Sequence, residues 1–102
     1  MPKMTGAKFI AETLHAYGVT HFFFMPVVIP DAMPHMERLG IKRIMAHAEK
    51  PAAYMADGYA RVSKKVAVCG AQSVGGMNLA AGIQDAYLAC SPVIALTGRL
   101  PQ

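Results

Sequence analysis

Three short, nearly continuous apolar runs constrain this chain most: Val19–Met25, Val66–Ala71 and Pro92–Thr97. Each is rich in β-branched or aromatic residues and too short for a typical helix. A half-exposed strand alternates apolar and polar residues, whereas an unbroken run reads as a buried strand, the reading for Val19–Met25 and Val66–Ala71, with Pro92–Thr97 read simply as a strand. A fourth, more mixed segment, Ile41–Ala46, also reads as a strand. The segments between these runs carry helical patterns. Strands alternating with helices predict an α/β fold: a three-layer parallel sheet with helices on both faces and about four strands.

The helices have recognisable starts and stops. Thr5 is placed to cap a helix running to about Tyr17, with Phe9, Ile10, Leu14 and Tyr17 on one face and Gly18 stopping it. Asp31–Leu39 predicts a short helix with Pro34 near its start, closed by Gly40. A loop at Gln72–Val74 leads into a helix from about Gly75 to Ala89. There Met77, Leu79, Ala80, Ile83, Ala86, Tyr87 and Leu88 predict a broad apolar face. Gly98 ends the last strand.

The central helix is the most informative segment. It lies in His47–Arg61, directly after the strand at 41–46. Pro51 suits a first helical position, because its φ is already helical and its missing N–H would have had no partner. Ala52, Ala53, Met55, Ala56, Tyr59 and Ala60 form an apolar stripe at helical spacing. The alanines permit close approach to a sheet or a second helix. Glu49 falls just before the first turn, where a strand ends and a helix begins. In open α/β sheets ligands bind in the crevice at the carboxyl ends of the strands. The helix dipole favours the charged form of such a carboxylate and burial opposes it. On spacing alone, a carboxylate that merely complements the dipole is the simpler reading of Glu49.

Composition narrows the function classes. A chain of 102 residues is one domain at most, here taken as residues 1–102, with a modest core. Apolar residues make up 54% and charged residues 16%, which predicts surface buried against another domain or subunit. The net charge is +4, but its basic residues are scattered. Lys42-Arg43 and the loop pair Lys64-Lys65 are the only adjacent basic pairs. No basic stripe is interleaved with aromatics, which argues against nucleic-acid binding. The apolar run at 22–30 is too short and too broken by proline to span a bilayer. The start, Met-Pro-Lys-Met-Thr-Gly, lacks the apolar core of a signal peptide, so a cytoplasmic location is expected. Cys69 and Cys90 lack metal-site spacing and are expected to be buried, reduced thiols. His15, His21 and His35 read as surface or packing residues, while His47 could line the cleft beside Glu49.

The chain resembles the N-terminal pyrimidine-binding (PYR) domain of thiamine diphosphate enzymes of the acetolactate synthase and 2-oxoacid decarboxylase type. The resemblance rests on Glu49, Ala52, Ala53, Met55, Ala56, Asp57, Gly58, Tyr59, Ala60 and Arg61. It extends through Gly18-Val19-Thr20-His21, Asn78-Leu79, Gly82-Ile83, Asp85-Ala86-Tyr87 and Pro92–Gly98, and so covers nearly the whole chain. It implies that Glu49 is catalytic. In that family the glutamate hydrogen-bonds ring nitrogen N1′ of the cofactor's aminopyrimidine, favours its imino tautomer, and so prepares removal of the thiazolium C2 proton. The resemblance implies cofactor contacts at Glu49, Pro26, Gln72, Ser73, Gly75 and Asn78. Asp57, Gly58, Tyr59 and Arg61 are expected to be structural: helix packing, a small contact at Gly58, and a charge at the helix end.

Two departures from the family pattern stand out. The family's Gly-x-Pro-Gly after the first strand is replaced by Phe24-Met25-Pro26-Val27, so a valine stands where the second glycine would. Its Thr-Ser-Gly-Pro-Gly after the third strand is replaced by Ala71-Gln72-Ser73-Val74-Gly75, where only the last glycine matches. Gln72–Gly76 also opens a helix as a phosphate cradle would, but it lacks both Gly-x-Gly-x-x-Gly and Gly-x-x-x-x-Gly-Lys-Ser/Thr.

The magnesium and diphosphate motif of the family is absent, as is the middle domain that holds FAD in some members. The resemblance also implies further strands after Thr97, so a fragment, a truncated product or one piece of a larger assembly is expected. The functional expectation is the N-terminal part of an enzyme acting on small 2-oxoacids by decarboxylation or carboligation. It would use thiamine diphosphate, with Mg2+ held elsewhere, in a homo-oligomer or with a partner chain carrying the diphosphate-binding domain. The alternatives are a non-catalytic truncated domain and one subunit of a two-chain decarboxylase.

Overall fold

Phe22 and Phe23 are adjacent in the sequence and both buried, yet they belong to opposite sides of one sheet. Successive side chains of a strand point to opposite faces, so this strand is the centre of a three-layer structure. The computed structural model describes residues 3–99. The element order is α1 (Gly6–Ala16), β1 (His21–Phe24), a 3-10 turn (Pro30–Ala32), α2 (Met33–Arg38), β2 (Lys42–Met45), α3 (Glu49–Ser63), β3 (Ala67–Gln72), α4 (Val74–Leu88) and β4 (Val93–Gly98). The strands form one sheet in the order β2-β1-β3-β4, and every pairing is parallel. The expected α/β architecture is therefore present.

Two cores flank the sheet. On one face, Ala52, Ala53, Ala56 and Ala60 of α3 and Leu79 of α4 pack against Phe23, Cys69 and Ala71. On the other, Ala11 and Leu14 of α1 and Met36 of α2 pack against Phe22 and Val68. Gly70 on β3 lets the Phe22 ring lie flat against the strand, since a Cβ there would stand 2.8 Å from Phe22 Cζ.

Local chemistry accounts for the element ends. Thr5 caps α1 by accepting a hydrogen bond from the Lys8 N–H at 3.2 Å. Gly18, with φ of +80°, follows α1 and supplies the left-handed residue that helix ends favour. Lys64 takes the same region, at φ of +60°, to end α3. The element bounds lie within a few residues of those expected, though α3 begins at Glu49 rather than at Pro51. Pro51 is thus the third residue of the helix, still in the first turn, where its missing N–H has no intrahelical partner.

Several expected burials are corrected. In α1 the covered stripe is Ala7, Ile10, Ala11 and Leu14, at i, i+3, i+4, i+7 spacing, while Phe9 and Tyr17 are exposed. Met55 lies outside the covered alanine stripe of α3. The broad apolar face of α4 is not all core. Leu79, Gly82 and Ala86 are buried, whereas Met77, Ala80, Tyr87 and Leu88 face outward. One stripe of a helix meets the sheet layer, so the remaining apolar residues of α4 have no covering element among the described residues. Cys90, expected to be buried, is exposed because it lies in the turn after α4, at φ of +54°. Gly58 makes no close contact: a Cβ there would meet nothing within 4 Å.

Candidate active site

The strand order reverses between β1 and β3. From β1 the chain moves outward to β2, then returns to the other side of β1 for β3 and β4. The crevice beyond the carboxyl ends of β1 and β3 is such a topological switch point, where open α/β sheets bind ligands. The loop after β1 carries Pro26. Ser73 stands between β3 and α4, and Glu49 follows β2 at the start of α3. Backbone bonds tie these connections to the sheet: Met25 N–H donates to Gly70 O at 3.0 Å, and Ser73 N–H to Gly98 O at 2.9 Å.

The backbone is strained at this edge. Val27, Ile29 and Ser73 have φ of +72°, +38° and +47°. Two of the three are β-branched, for which positive φ is a true outlier. Such strain persists only where the surrounding structure holds it, and it concentrates at functional sites. Val27 holds a left-handed backbone that a glycine would adopt freely.

Glu49, Gly75 and Asn78 come together where the amino ends of α3 and α4 meet. A Cβ on Gly75 would stand 2.7 Å from Glu49 Oε1. Glu49 and Asn78 line one open cleft of about 240 Å3 with Ala48, Lys50 and Ala81. Glu49 is half-buried. Among the described residues its carboxylate has no hydrogen-bond or ion-pair partner. A carboxylate so placed offers free acceptor sites to an incoming N–H donor.

The other expected site residues are arranged less closely. Pro26 and Ser73 are exposed on their loops. The Gln72 side chain is committed to the end of β4, where a Cβ on Gly98 would meet its Oε1 at 2.7 Å. His47 is exposed just before α3. Among the described residues no group of three or more His, Cys, Asp or Glu is placed to hold a metal ion.

The sequence reading missed two contributors. Lys50 lines the cleft beside Glu49. Gly82 sets how closely α4 lies on α3, since a Cβ there would meet Ala53 Cβ at 2.7 Å and Lys50 O at 2.8 Å. Its signal was a glycine inside an apolar helical pattern, which usually has a packing reason. Further along α3, Arg61 grips the buried Asp57 through Nε and Nη2, both at 2.9 Å. This fork holds the Asp57 carboxyl below the usual carboxylate range. The Ser91 hydroxyl is buried without a hydrogen-bond partner among the described residues. Tyr54 of α3 donates to Asp85 Oδ2 of α4 at 2.6 Å, a second tie between the helices that carry the site.

Comparison with known proteins agrees with this geometry. The family model described as "Thiamine pyrophosphate enzyme, N-terminal TPP binding domain" matches residues 4–102. An acetolactate synthase of Arthrospira platensis is 41% identical over 98% of this chain and 18% of its own length. The large subunit of acetolactate synthase isozyme 2 of Escherichia coli is 38% identical over 95% of this chain and 18% of its own. A sulfoacetaldehyde acetyltransferase of Alcaligenes xylosoxydans xylosoxydans is 42% identical over 93% of this chain and 16% of its own. The chain thus spans less than a fifth of the length of these relatives. With the parallel sheet, the switch-point crevice and the match over residues 4–102, the chain belongs to the thiamine pyrophosphate enzyme family as its N-terminal, TPP-binding domain.

Proposed function

We propose that this domain supplies the pyrimidine side of a thiamine diphosphate site in an acetolactate synthase-like enzyme acting on 2-oxoacids, with Glu49 as its acid–base residue. The observation that carries the reading is the half-buried carboxylate at the carboxyl edge of the sheet, without a partner among the described residues and facing a cleft shared with Asn78. An aminopyrimidine presents ring nitrogens and an exocyclic amine, and the donor set here suits it. An ionised carboxylate accepts from a protonated ring nitrogen, a protonated one donates to a bare nitrogen, and an amide can do both.

Thiamine diphosphate, when bound, supplies a carbon acid whose conjugate base adds to a 2-oxoacid carbonyl and holds the electrons as carbon dioxide leaves. Glu49 holds and releases a proton at its carboxylate oxygen opposite the ring nitrogen. Asn78 orients the ring edge. The loop residues Pro26 and Ser73 and the strand end at Gln72 wall the crevice, and Gly75 shapes its floor. Excluding water there strengthens the carboxylate–ring hydrogen bond. The diphosphate and its Mg2+ are assigned to a second domain, on this protein or a partner subunit, and any FAD to a further one.

The exposed Met77, Tyr87 and Leu88 on α4 support an assembly role for this domain. Exposed apolar side chains left uncovered on one helix suit an interaction site. They support a homo-oligomer, or a two-chain enzyme, in which α4 is covered.

The test is Glu49→Gln in the protein carrying this domain, loaded with thiamine diphosphate and Mg2+. The exchange of the cofactor C2 proton with solvent deuterium, followed by NMR after acid quench, should slow by about 100-fold or more, as for loss of a general acid–base group. An unchanged exchange rate with the cofactor still bound removes Glu49 from the role and leaves a purely structural domain.

A further inference from the structure

Glu49 opens α3 and Gly75 is the second residue of α4. A Cβ on Gly75 would stand 2.7 Å from Glu49 Oε1, 3.1 Å from Cγ and 3.2 Å from Cδ. One side chain therefore fills the volume that any residue larger than glycine would need at position 75. The glycine is not required by its backbone, because its φ lies outside the left-handed region. Nor does it favour the helix, where glycine is a poorer former than alanine. The next residue gives the contrast: a Cβ on Gly76 would meet only the Thr97 side chain, at 3.3 Å.

We propose that Gly75 is a positioning residue for Glu49, its missing Cβ letting the carboxylate lie against the first turn of α4 beside Asn78. The inference rests on the reading of Glu49 given above. With no hydrogen-bond or ion-pair partner among the described residues, the carboxylate takes its place by packing. The nearest threatened atom is the far end of a flexible chain. A methyl at position 75 therefore turns the glutamate to another rotamer rather than forcing the helices apart.

The test compares Gly75→Ala with Gly76→Ala in the cofactor-free protein. The chain has three glutamates, Glu12, Glu37 and Glu49. With carboxyl-13C glutamate incorporated, the Glu49 resonance is assigned by its loss in Glu49→Gln. Gly75→Ala should leave the Tm within about 3 °C and shift the Glu49 resonance at pH 7, with Glu12 and Glu37 unmoved. Gly76→Ala should leave all three in place. In the protein loaded with thiamine diphosphate and Mg2+, Gly75→Ala should slow C2-proton exchange roughly tenfold to a hundredfold at unchanged cofactor affinity, as small misplacements do.

An unmoved Glu49 resonance in folded Gly75→Ala overturns the proposal, even if Glu49→Gln abolishes exchange. A moved resonance with full exchange in Glu49→Gln keeps the contact and sinks the catalytic reading instead. If Gly75→Ala fails to fold, Gly75→Ala/Glu49→Ala decides the matter. Recovered folding assigns the volume at 75 to Glu49, and continued failure overturns the proposal.

Discussion

A Cβ on Gly82 would stand 2.8 Å from the Lys50 carbonyl oxygen, so α4 lies close against the backbone of the first turn of α3. The helix carrying Glu49 and the helix carrying Asn78 are held at this distance by a missing methyl. The oxygen is backbone and cannot rotate away, which separates this contact from the one at Gly75.

Gly82→Ala therefore destabilises the domain. Overpacking costs about 1–3 kcal/mol, and alanine's better helix propensity returns about 1 kcal/mol of it. A net loss of roughly 0–2 kcal/mol is expected, read as a lower urea midpoint at unchanged slope. A stabilised variant would show that α3 and α4 do not meet at this point.

Val27→Gly is expected to stabilise. Valine is held at φ of +72° while 63% exposed, so the change removes strain and little buried surface. A left-handed L-residue costs about 1–2 kcal/mol, and the extra freedom of unfolded glycine costs about 0.5–1 kcal/mol. The expected gain is about 0–1.5 kcal/mol by chemical denaturation. A loss of stability would mean that the valine side chain contributes packing that its exposure does not reveal.

Asp57 makes the domain acid-sensitive. Arg61 lowers its folded pKa below the unfolded value near ~3.9. The unfolded chain then binds more protons as acid is added, so the contribution is fully present above about pH 4 to 5 and is lost as pH falls through the lowered folded value. Denaturation midpoints from pH 7 to pH 2.5 should fall more steeply for the wild type than for Asp57→Asn. Parallel curves would sink the assignment.

The two cysteines should separate by reactivity. Burial pushes the Cys69 thiol up to about 12, which leaves almost no thiolate at neutral pH. Cys90 is exposed. A thiol reagent at pH 8 should modify one cysteine quickly in the native protein and both in denaturant, with Cys90→Ser removing the fast phase. Two fast thiols in the native state would contradict the buried position of Cys69.

Much of the fold was legible because local physics is written locally. The runs around Phe22-Phe23, Val68 and Ile94 marked strands, Thr5 and Gly18 bounded α1, and the alanines of α3 marked its covered face. Burial was legible only in part. Phe9, Tyr17, Met77, Tyr87 and Leu88 were placed inside by helical spacing and Cys90 by its residue type, yet all are exposed. Periodicity shows that a helix has an apolar side; it does not show how wide a stripe the neighbouring layer covers. The site divides in the same way. Glu49 was singled out by its motif and its place after a strand, while the closeness of Gly75 to it, of Gly82 to α3 and of Lys50 to the cleft was not legible.

By itself, the sequence determined the order of strands and helices, the family, and the placing of Glu49 at a strand-to-helix junction. These follow from residue types and spacings within single segments. The tertiary structure alone decided that Gly75 makes room for the Glu49 carboxylate, that Gly82 brings α3 and α4 into contact, and that Val27 is held in a left-handed backbone. Each depends on distances of tenths of an ångström between segments far apart in the chain. Those distances arise when the layers close on one another, and no local pattern encodes them.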